Sequence, residues 1–159
     1  SVLSNITFGK NRHGKPSKDR VKAAIRVSQA YEFVSKLDDK EKAHIAQGGT
    51  NVSGGQKQRL SIARTIARDP EIYIFDDSFS ALDYKTDSTL RSELKKYTKD
   101  ATVMIVAQRI GTILNADKIV VLDNGKCLGI GTHKELMKKC KVYKEIALSQ
   151  VSKEELENV

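Results

Sequence analysis

The sequence predicts an α/β fold in which helices cover a parallel sheet. From residue 72 onward, apolar runs of strand length alternate with helical stretches, which is typical of parallel sheets whose strands are joined by helices. The first third of the chain has apolar residues at helical spacing instead and is predicted to be mostly helical. The predicted strands are Ile72 to Phe75, Val103 to Val106 and Ile119 to Leu122, and the predicted helices cover residues 56–69, 86–99 and 109–115.

Capping and turn residues mark the elements before residue 52. Residues 1–16 form an N-terminal segment that ends in a turn-prone stretch. Ser17 can then cap a helix that runs to about Gln29, and a second, short helix is predicted from Tyr31 to Leu37. Residues 38–51 are polar and show no strand pattern, so no strand is predicted there.

Turn and capping signals also define the end of the chain. Asp123-Asn124-Gly125 is a tight-turn sequence that would fold Lys126 to Ile130 back as an antiparallel strand. Thr132 followed by Glu135 predicts a capping box, and residues 143–148 predict a further helical turn. The predicted parts are an N-terminal segment with a helical subdomain (1–70), the C-terminal part of a sheet-containing core (71–150) and a weakly docked tail (151–159).

Composition argues against several classes of protein. The 159 residues suffice for one domain or for most of a larger one, and no apolar run approaches the roughly 20 residues that span a bilayer. The net charge of +8 comes from basic residues scattered through the chain, so no nucleic-acid partner is predicted. Cys127 and Cys140 are too few for a disulfide framework and lack metal-ligand spacing, which fits a reducing cytosol.

A glycine-rich stretch directly before a predicted helix is suited to binding phosphate. This stretch, Val52-Ser53-Gly54-Gly55-Gln56, precedes a run with apolar residues at helical spacing. Its two glycines expose backbone N–H groups, Ser53 adds a hydroxyl donor, and the positive end of the helix dipole favours an anion. Taken alone, such a stretch is more often an ordinary helix start.

Two carboxylates follow the first predicted strand. Ile72 to Phe75 is apolar throughout and predicts a buried strand, with Asp76 and Asp77 at its carboxyl end. Oxygen ligands at this edge of a parallel sheet suit a site for magnesium and a nucleotide, although paired acids after a strand often only begin a solvated loop. Ser80-Ala81-Leu82-Asp83 follows at once. The order of the three stretches is more specific than any one of them.

In this order the three stretches resemble those of the ABC ATPases. Val52 to Gln56 resembles the signature motif, Ile72 to Asp76 the Walker B strand, and Ser80 to Asp83 the D-loop. Asn5 to Gly9 and residues 117–136 resemble segments of exporter nucleotide-binding domains of the multidrug and lipid type. The resemblance implies part of a P-loop NTPase core, with a parallel sheet covered by helices, plus the ABC α-helical subdomain.

The phosphate loop of these ATPases is not found in the sequence. The nearest match to its pattern runs from Gly9 to Lys15, but the next residue, Pro16, has no hydroxyl for Mg²⁺ and disfavours a helical conformation at Lys15. The resemblance therefore implies a piece of a longer protein that begins after the Q-loop. Alone, this piece is expected to be neither a transporter nor a competent ATPase.

Three positions depart from the family pattern. Asp77 stands where the family usually has the glutamate that orients the attacking water, and its carboxylate is one methylene, roughly 1.5 Å, closer to the backbone. Gln108 stands where the family has a histidine that contacts the γ-phosphate, and glutamine cannot carry charge. Gln47 stands where exporters often have a glutamate near the contact with the transmembrane part.

The resemblance also implies how these residues share two ATP molecules. ABC domains pair head to tail, and each ATP lies between the Walker motifs of one subunit and the signature of the other. Asp76 would hold Mg²⁺ through water, Asp77 would weakly position the lytic water, and Gln108 would sense the γ-phosphate. The signature from Val52 to Gln56 would complete the partner's site. This pattern resembles the degenerate-site half of a bacterial heterodimeric exporter, and a homodimer with tolerated variants stays open.

The implied function is that of an ABC exporter that couples ATP binding and hydrolysis to transport. ATP and Mg²⁺ are the implied cofactors, and a transmembrane domain of the same chain and a second ABC subunit are the implied partners, at the cytoplasmic face of the plasma membrane. One rival is the C-terminal lobe of an SMC-type ATPase that acts on DNA, against which residues 117–136 argue. Another is a soluble ABC protein that acts on ribosomes, which would need a second cassette.

Overall fold

The computed structural model describes residues 1–9 and 14–150, which fall into two compact units, Ser1–Met104 and Ile105–Val159. Part of the predicted N-terminal turn, residues 10–13, and the predicted tail, 151–159, lie outside the described residues. The predicted divisions after residues 70 and 150 stay predictions.

The first unit begins with helices and ends with a strand-helix-strand segment. The helices are α1 (Val2–Ile6), α2 (Lys18–Val27), α3 (Tyr31–Val34) and α4 (Gly54–Arg68), with single 3₁₀ turns at Lys40–Lys42 and Gln47–Gly49 between α3 and α4. The final segment consists of β1 (Ile72–Asp76), α5 (Tyr84–Tyr97) and β2 (Thr102–Val106), and β2 crosses the division between the units.

Helix α1 was not predicted from the sequence, and two arginines of α4 hold it in place. The Arg64 guanidinium donates to the Asn5 carbonyl at 2.6 Å and to the Asn5 side-chain oxygen at 3.1 Å. The Arg68 guanidinium donates to the Phe8 carbonyl at 2.7 Å. These contacts join residues about 60 positions apart. The local signal for α1 was Ser1, which caps the helix in a capping box with Ser4.

The core of this part of the first unit lies where α1 and α2 pack against α4. Ser17 caps α2 by accepting from the Arg20 N–H at 3.2 Å, as predicted. The buried apolar residues recur at helical spacing, so each helix turns one face inward. They are Val2, Ile6, Val21, Ala24, Ile25, Leu60, Ile62, Ala63, Ile66 and Ala67.

The parallel, helix-connected arrangement is confirmed for β1 and β2. The two strands pair, and the Thr102 N–H donates to the Glu71 carbonyl at 2.9 Å. Because Glu71 directly precedes β1 and Thr102 begins β2, both strands start at the same edge of the sheet, as parallel strands do.

The prediction that β1 is buried throughout is wrong for the described residues. Tyr73 and Phe75 are buried, but the alternate residues Ile72 and Ile74 are 56% and 64% exposed. Successive side chains of a strand point to opposite faces. Within residues 1–9 and 14–150, only one face of β1 is covered.

The second unit contains an antiparallel pair of strands and three helices in its described part. The elements are α6 (Ile110–Ile113), β3 (Ile119–Asp123), β4 (Lys126–Gly131), α7 (His133–Lys139) and α8 (Lys141–Gln150). The sequence alternation placed β3 in the parallel sheet, whereas in the described residues β3 pairs with β4 in a separate ladder. None of the helices within 1–9 and 14–150 is long and apolar enough to cross a membrane.

The predicted turn between β3 and β4 is confirmed. Asn124 and Gly125 both have positive φ, 46° and 74°, which is the conformation that a two-residue type I′ hairpin turn requires. Asp123 pairs with Lys126, and Ile119 pairs with Gly131 at the far end. The predicted capping box of α7 is also present, because Thr132 accepts from the Glu135 N–H while Glu135 accepts from the Thr132 N–H.

A buried histidine and tyrosine join α7 to α8 in the core of the second unit. Nδ1 of His133 lies 2.9 Å from the Tyr143 hydroxyl, and both side chains are almost fully buried. Burial lowers the pKa of His133, assisted by the Lys134 charge, and burial raises the pKa of Tyr143. The neutral imidazole is therefore the form that the fold favours.

We predict that acid loosens α7. A histidine in the unfolded chain has a pKa of about 6.5, whereas the pKa of folded His133 is lower. The contribution of neutral His133 to the free energy of unfolding is therefore complete above the unfolded pKa and is lost as the pH falls below it. Hydrogen-exchange protection factors of α7 amides should fall between pH 7.5 and 5.5. His133→Gln should reduce this pH dependence, whereas His44→Gln, at an exposed site, should leave it unchanged. Equal pH dependence in both variants would contradict the assignment.

Candidate functional site

The signature stretch, Val52–Gln56, forms the capped start of α4. Ser53 is the N-cap, and its hydroxyl oxygen accepts from the Gln56 N–H at 3.2 Å. The Gln56 side chain accepts in return from the Ser53 N–H at 2.9 Å. This capping box uses the acceptor capacity of the Ser53 hydroxyl, which can still donate its proton to an anion.

The two signature glycines have different surroundings. At Gly54 an added Cβ would lie 3.9 Å from the nearest atom, the Ala81 Cβ. At Gly55 the same atom would lie 2.9 Å from the Ala81 carbonyl oxygen and 3.7 Å from Leu82. Gly55 therefore permits a close approach between the first turn of α4 and the chain that follows β1, whereas Gly54 faces outward.

The predicted acidic residues lie at the carboxyl end of β1. Asp76 ends the strand and Asp77 follows it, and both are exposed. Asp77 has a φ of 46°, in the left-handed region that aspartate adopts more readily than most residues. The Ser80 hydroxyl donates to the Asp77 carbonyl at 3.0 Å, which closes the chain into a turn. We call residues 77–81 the Asp77–Ala81 loop.

Gln58 connects α4 to the Asp77–Ala81 loop. Its side-chain NH₂ lies 3.2 Å from the Ser80 hydroxyl and 3.5 Å from the Asp77 carbonyl oxygen. Its side-chain oxygen accepts from the Ala81 N–H at 3.0 Å. One amide thus contacts both ends of the loop.

The remaining residues of the predicted D-loop have structural roles in this unit. Leu82 is buried. Asp83 is the N-cap of α5 and accepts from the Thr86 N–H at 3.0 Å, a hydrogen bond that lowers the pKa of Asp83. The loop is therefore fixed by an apolar anchor on its C-terminal side and by a capped helix beyond it.

Gln108 and Gln47 lie in different surroundings. Gln108 is exposed in the second unit, where the Gln150 side chain donates to its carbonyl at 2.8 Å and accepts from the Ile110 N–H at 2.8 Å. Gln47 begins a 3₁₀ turn in the first unit, and Lys57 of α4 donates to the Gly48 carbonyl of that turn at 2.9 Å. The backbone around each glutamine is thus held by a residue from a helix.

The residues present fit a nucleotide with magnesium. The first turn of α4 offers N–H groups and the positive end of the helix dipole to an anion. Asp76 offers carboxylate oxygen, and Mg²⁺ prefers one or two carboxylates together with water and phosphate oxygens over an all-protein cage. In the described part of the chain no group of three or more His, Cys, Asp or Glu side chains could hold a metal.

The structure brings most of the predicted site residues into one unit. Asp76, Asp77, the predicted D-loop and the signature stretch all lie in the first unit, and Gln108 lies in the second. Sequence reasoning did not select Gln58 as a site residue. The available signal was its position three residues after Gly55, which places both on the same face of α4.

A glycine-rich helix start that packs beside the acidic end of a parallel strand defines the chain as part of a nucleotide-binding domain. The sequence pattern of the ABC transporter family matches residues 1–80. The chain belongs to the ABC transporter family, as its motifs predicted.

Relatives agree with this assignment over nearly all of the chain. An uncharacterized ABC transporter ATP-binding protein of Mycobacterium tuberculosis (strain H37Rv) is 43% identical over 94% of this chain and 25% of its own length. The ATP-dependent lipid A-core flippase of Francisella novicida is 40% identical over 90% of this chain and 24% of its own length. The chain spans about a quarter of the curated relatives it matches.

A solved structure agrees as well. The structure of a bacterial Atm1-family ABC exporter with ATP bound superposes with a TM-score of 0.87 at 31% identity, over 94% of this chain and 26% of that chain. The fold is therefore that of exporter ATP-binding domains. The relatives give no support to the DNA-acting alternative.

The two signature glycines should respond differently to alanine. Gly54→Ala should leave stability unchanged or raise it by up to about 1 kcal/mol, because alanine favours helix more than glycine does. Gly55→Ala should lower stability by about 1–3 kcal/mol, because its methyl group would displace the Ala81 carbonyl. Thermal unfolding of the two variants provides the comparison. Equal stability would show that the loop does not approach Gly55 in solution.

Proposed function

We propose that the chain is the signature-bearing part of an exporter's ATP-binding domain, which couples ATP binding and hydrolysis to transport across a membrane. The family assignment and the exporter-like fold support this proposal. One relative, the lipid A-core flippase, is named for moving a lipid.

The observation that carries the proposal is the contact between the signature stretch and the loop after the acidic strand end. Gly55 approaches Ala81, and Gln58 contacts both ends of the Asp77–Ala81 loop. In one compact unit, the chain therefore holds both the helix start that would face the partner's ATP and the carboxylates that would face this subunit's own ATP.

Each residue has a proposed role toward ATP and Mg²⁺. Asp76 would hold Mg²⁺ through water, and bound Mg²⁺ would neutralise charge on the phosphates. Asp77 would orient the attacking water, and Gln108 would hydrogen-bond the γ-phosphate. Toward the partner's ATP, the chain would offer the hydroxyl of Ser53 and the N–H groups of the first turn of α4, and Gln56 would support them through the capping box.

The proposed partners follow from this division of roles. A transmembrane domain in the same chain would carry the substrate, and a second ABC subunit would supply the opposite half of each ATP site. The assembly would lie at the cytoplasmic face of the plasma membrane. Nucleic acid is not among the proposed partners, because the excess of basic residues is scattered along the sequence.

We propose a heterodimer because the two departures that would face ATP, Asp77 and Gln108, both fall on this subunit's own site. Asp77 and Gln108 weaken the site that this subunit would own, whereas the signature stretch is intact and capped. A shorter carboxylate misplaces the water it orients, and misplacement by about 1 Å can cost on the order of a hundredfold in rate. One slow and one competent site would result.

Substitutions on the two sides should therefore have unequal effects. In the assembled protein, Gly54→Asp should abolish ATP hydrolysis, because a carboxylate at the N-terminus of α4 reverses the field that favours phosphate. Asp77→Asn should leave a substantial part of the activity, because its site is already slow. Steady-state phosphate release from the reconstituted pair measures both.

A matched variant separates charge from size in this experiment. In Gly54→Asn the new side chain has nearly the same shape as in Gly54→Asp but no charge, so this variant should retain more ATP hydrolysis. Complete loss in both Gly54→Asp and Asp77→Asn would point to two equivalent sites, as in a homodimer.

The chain of residues 1–159, produced alone, should bind Mg-ATP only weakly and should not hydrolyse it. Its 159 residues contain no acceptable phosphate-loop pattern. A signature donates to a phosphate that the lysine and backbone of another loop already hold. Isothermal titration with Mg-ATP tests this expectation, and a dissociation constant in the micromolar range would contradict it.

A further inference from the structure

We propose that Gln58 is a positioning residue for ATP hydrolysis that holds the Asp77–Ala81 loop against the signature end of α4. The proposal rests on the proposed function, since it assigns Gln58 a part in that reaction. Gln58 itself would contact neither ATP nor the attacking water.

The hydrogen bonds of Gln58 match its two chemical ends. Its side-chain oxygen accepts from the Ala81 N–H at 3.0 Å, and its NH₂ group faces the Ser80 hydroxyl at 3.2 Å and the Asp77 carbonyl at 3.5 Å. A carboxylate cannot donate and an ammonium cannot accept, so an uncharged amide suits this place. The loop is therefore held at its first residue and at its last.

Close packing independently indicates that the loop belongs against α4. An added Cβ at Gly55 would lie 2.9 Å from the Ala81 carbonyl oxygen. Gly55 and Gln58 are three residues apart and share one face of the helix. The N–H of Ala81 is bound by the amide, and its carbonyl lies over the glycine. The N–H and the carbonyl of Ala81 thus both contact α4.

This arrangement links the two ATP sites that one subunit would serve. The start of α4 would bind the partner's ATP, and Asp77 would act on this subunit's own ATP. Gln58 connects the two within one compact unit, so a shift of α4 on binding phosphate would reach the Asp77 backbone directly. Asp77 is already in the left-handed region, with a φ of 46°. The direction of its side chain therefore depends on how the loop is held.

Two variants of Gln58 separate the bonds. Gln58→Met has a similar length and makes neither bond. Gln58→Glu can accept from the Ala81 N–H but cannot donate to the Asp77 carbonyl. Ser61→Ala, at an exposed position of the same helix, is the matched control. Each variant is made in the intact, assembled protein.

The experiment combines a local measurement with a kinetic one. Hydrogen exchange of the Ala81 amide should accelerate on the order of tenfold or more in Gln58→Met and should stay near wild type in Gln58→Glu and Ser61→Ala. The kcat of this subunit's own site, taken from the slow phase of ATP cleavage in the assembled protein, should fall on the order of tenfold in Gln58→Met with KM within about twofold. The kcat of Gln58→Glu should lie between those of Gln58→Met and wild type.

The outcomes distinguish this inference from the proposed function. Unchanged Ala81 exchange in Gln58→Met, or faster exchange with wild-type kcat, would overturn the positioning role while the ATPase stands. A rise in KM equal to the fall in kcat/KM would place Gln58 in ATP binding and would also overturn it. An intact wild-type protein that does not hydrolyse ATP would overturn the proposed function, and this inference with it.

Discussion

The contact between the first turn of α4 and the loop after β1 is the constraint on which the first unit depends. It requires glycine at position 55, because a side chain there would meet the Ala81 carbonyl. It also requires an amide at position 58 that can donate and accept at once. Through these two residues the start of α4 contacts the loop after β1, although 19 positions separate Gln58 from Asp77 in the chain.

The rest of α4 keeps its start in that place. Its apolar face is buried against α1 and α2, and its capping box satisfies N–H groups at the first turn. Its polar side chains contact three other segments of the first unit. Lys57 holds the 3₁₀ turn at Gly48, Arg59 donates to the Gln29 carbonyl at 2.9 Å, and Arg64 holds α1. One helix thus contacts three segments that precede it in the chain and, through Gln58, the loop after β1.

The sequence predicted best where structure is decided locally. The Ser17 and Thr132 caps and the Asn124-Gly125 turn depend on neighbouring residues, and the structure has them. The parallel order of β1 and β2 was predicted from the alternation of strand and helix patterns, and it is also present. It predicted least where distant residues decide. Arg64 contacts helix α1 from 59 positions along the chain, and the role of Gln58 depends on a loop that only folding brings close. The burial of β1 was overestimated because the described residues cover only one of its apolar faces.

The geometry at Asp77 adds a backbone aspect to the departure from glutamate. The residue lies in the left-handed region, where aspartate and asparagine are enriched because short polar side chains fit there. In its proposed role, Asp77 reaches less far toward the attacking water than glutamate would, but it tolerates this backbone conformation well. Because Ser80 and Gln58 both face its carbonyl, that conformation is held from outside the residue as well. The length of the Asp77 side chain therefore sets how far its carboxylate reaches. The contacts of Ser80 and of Gln58 from α4 support its backbone conformation.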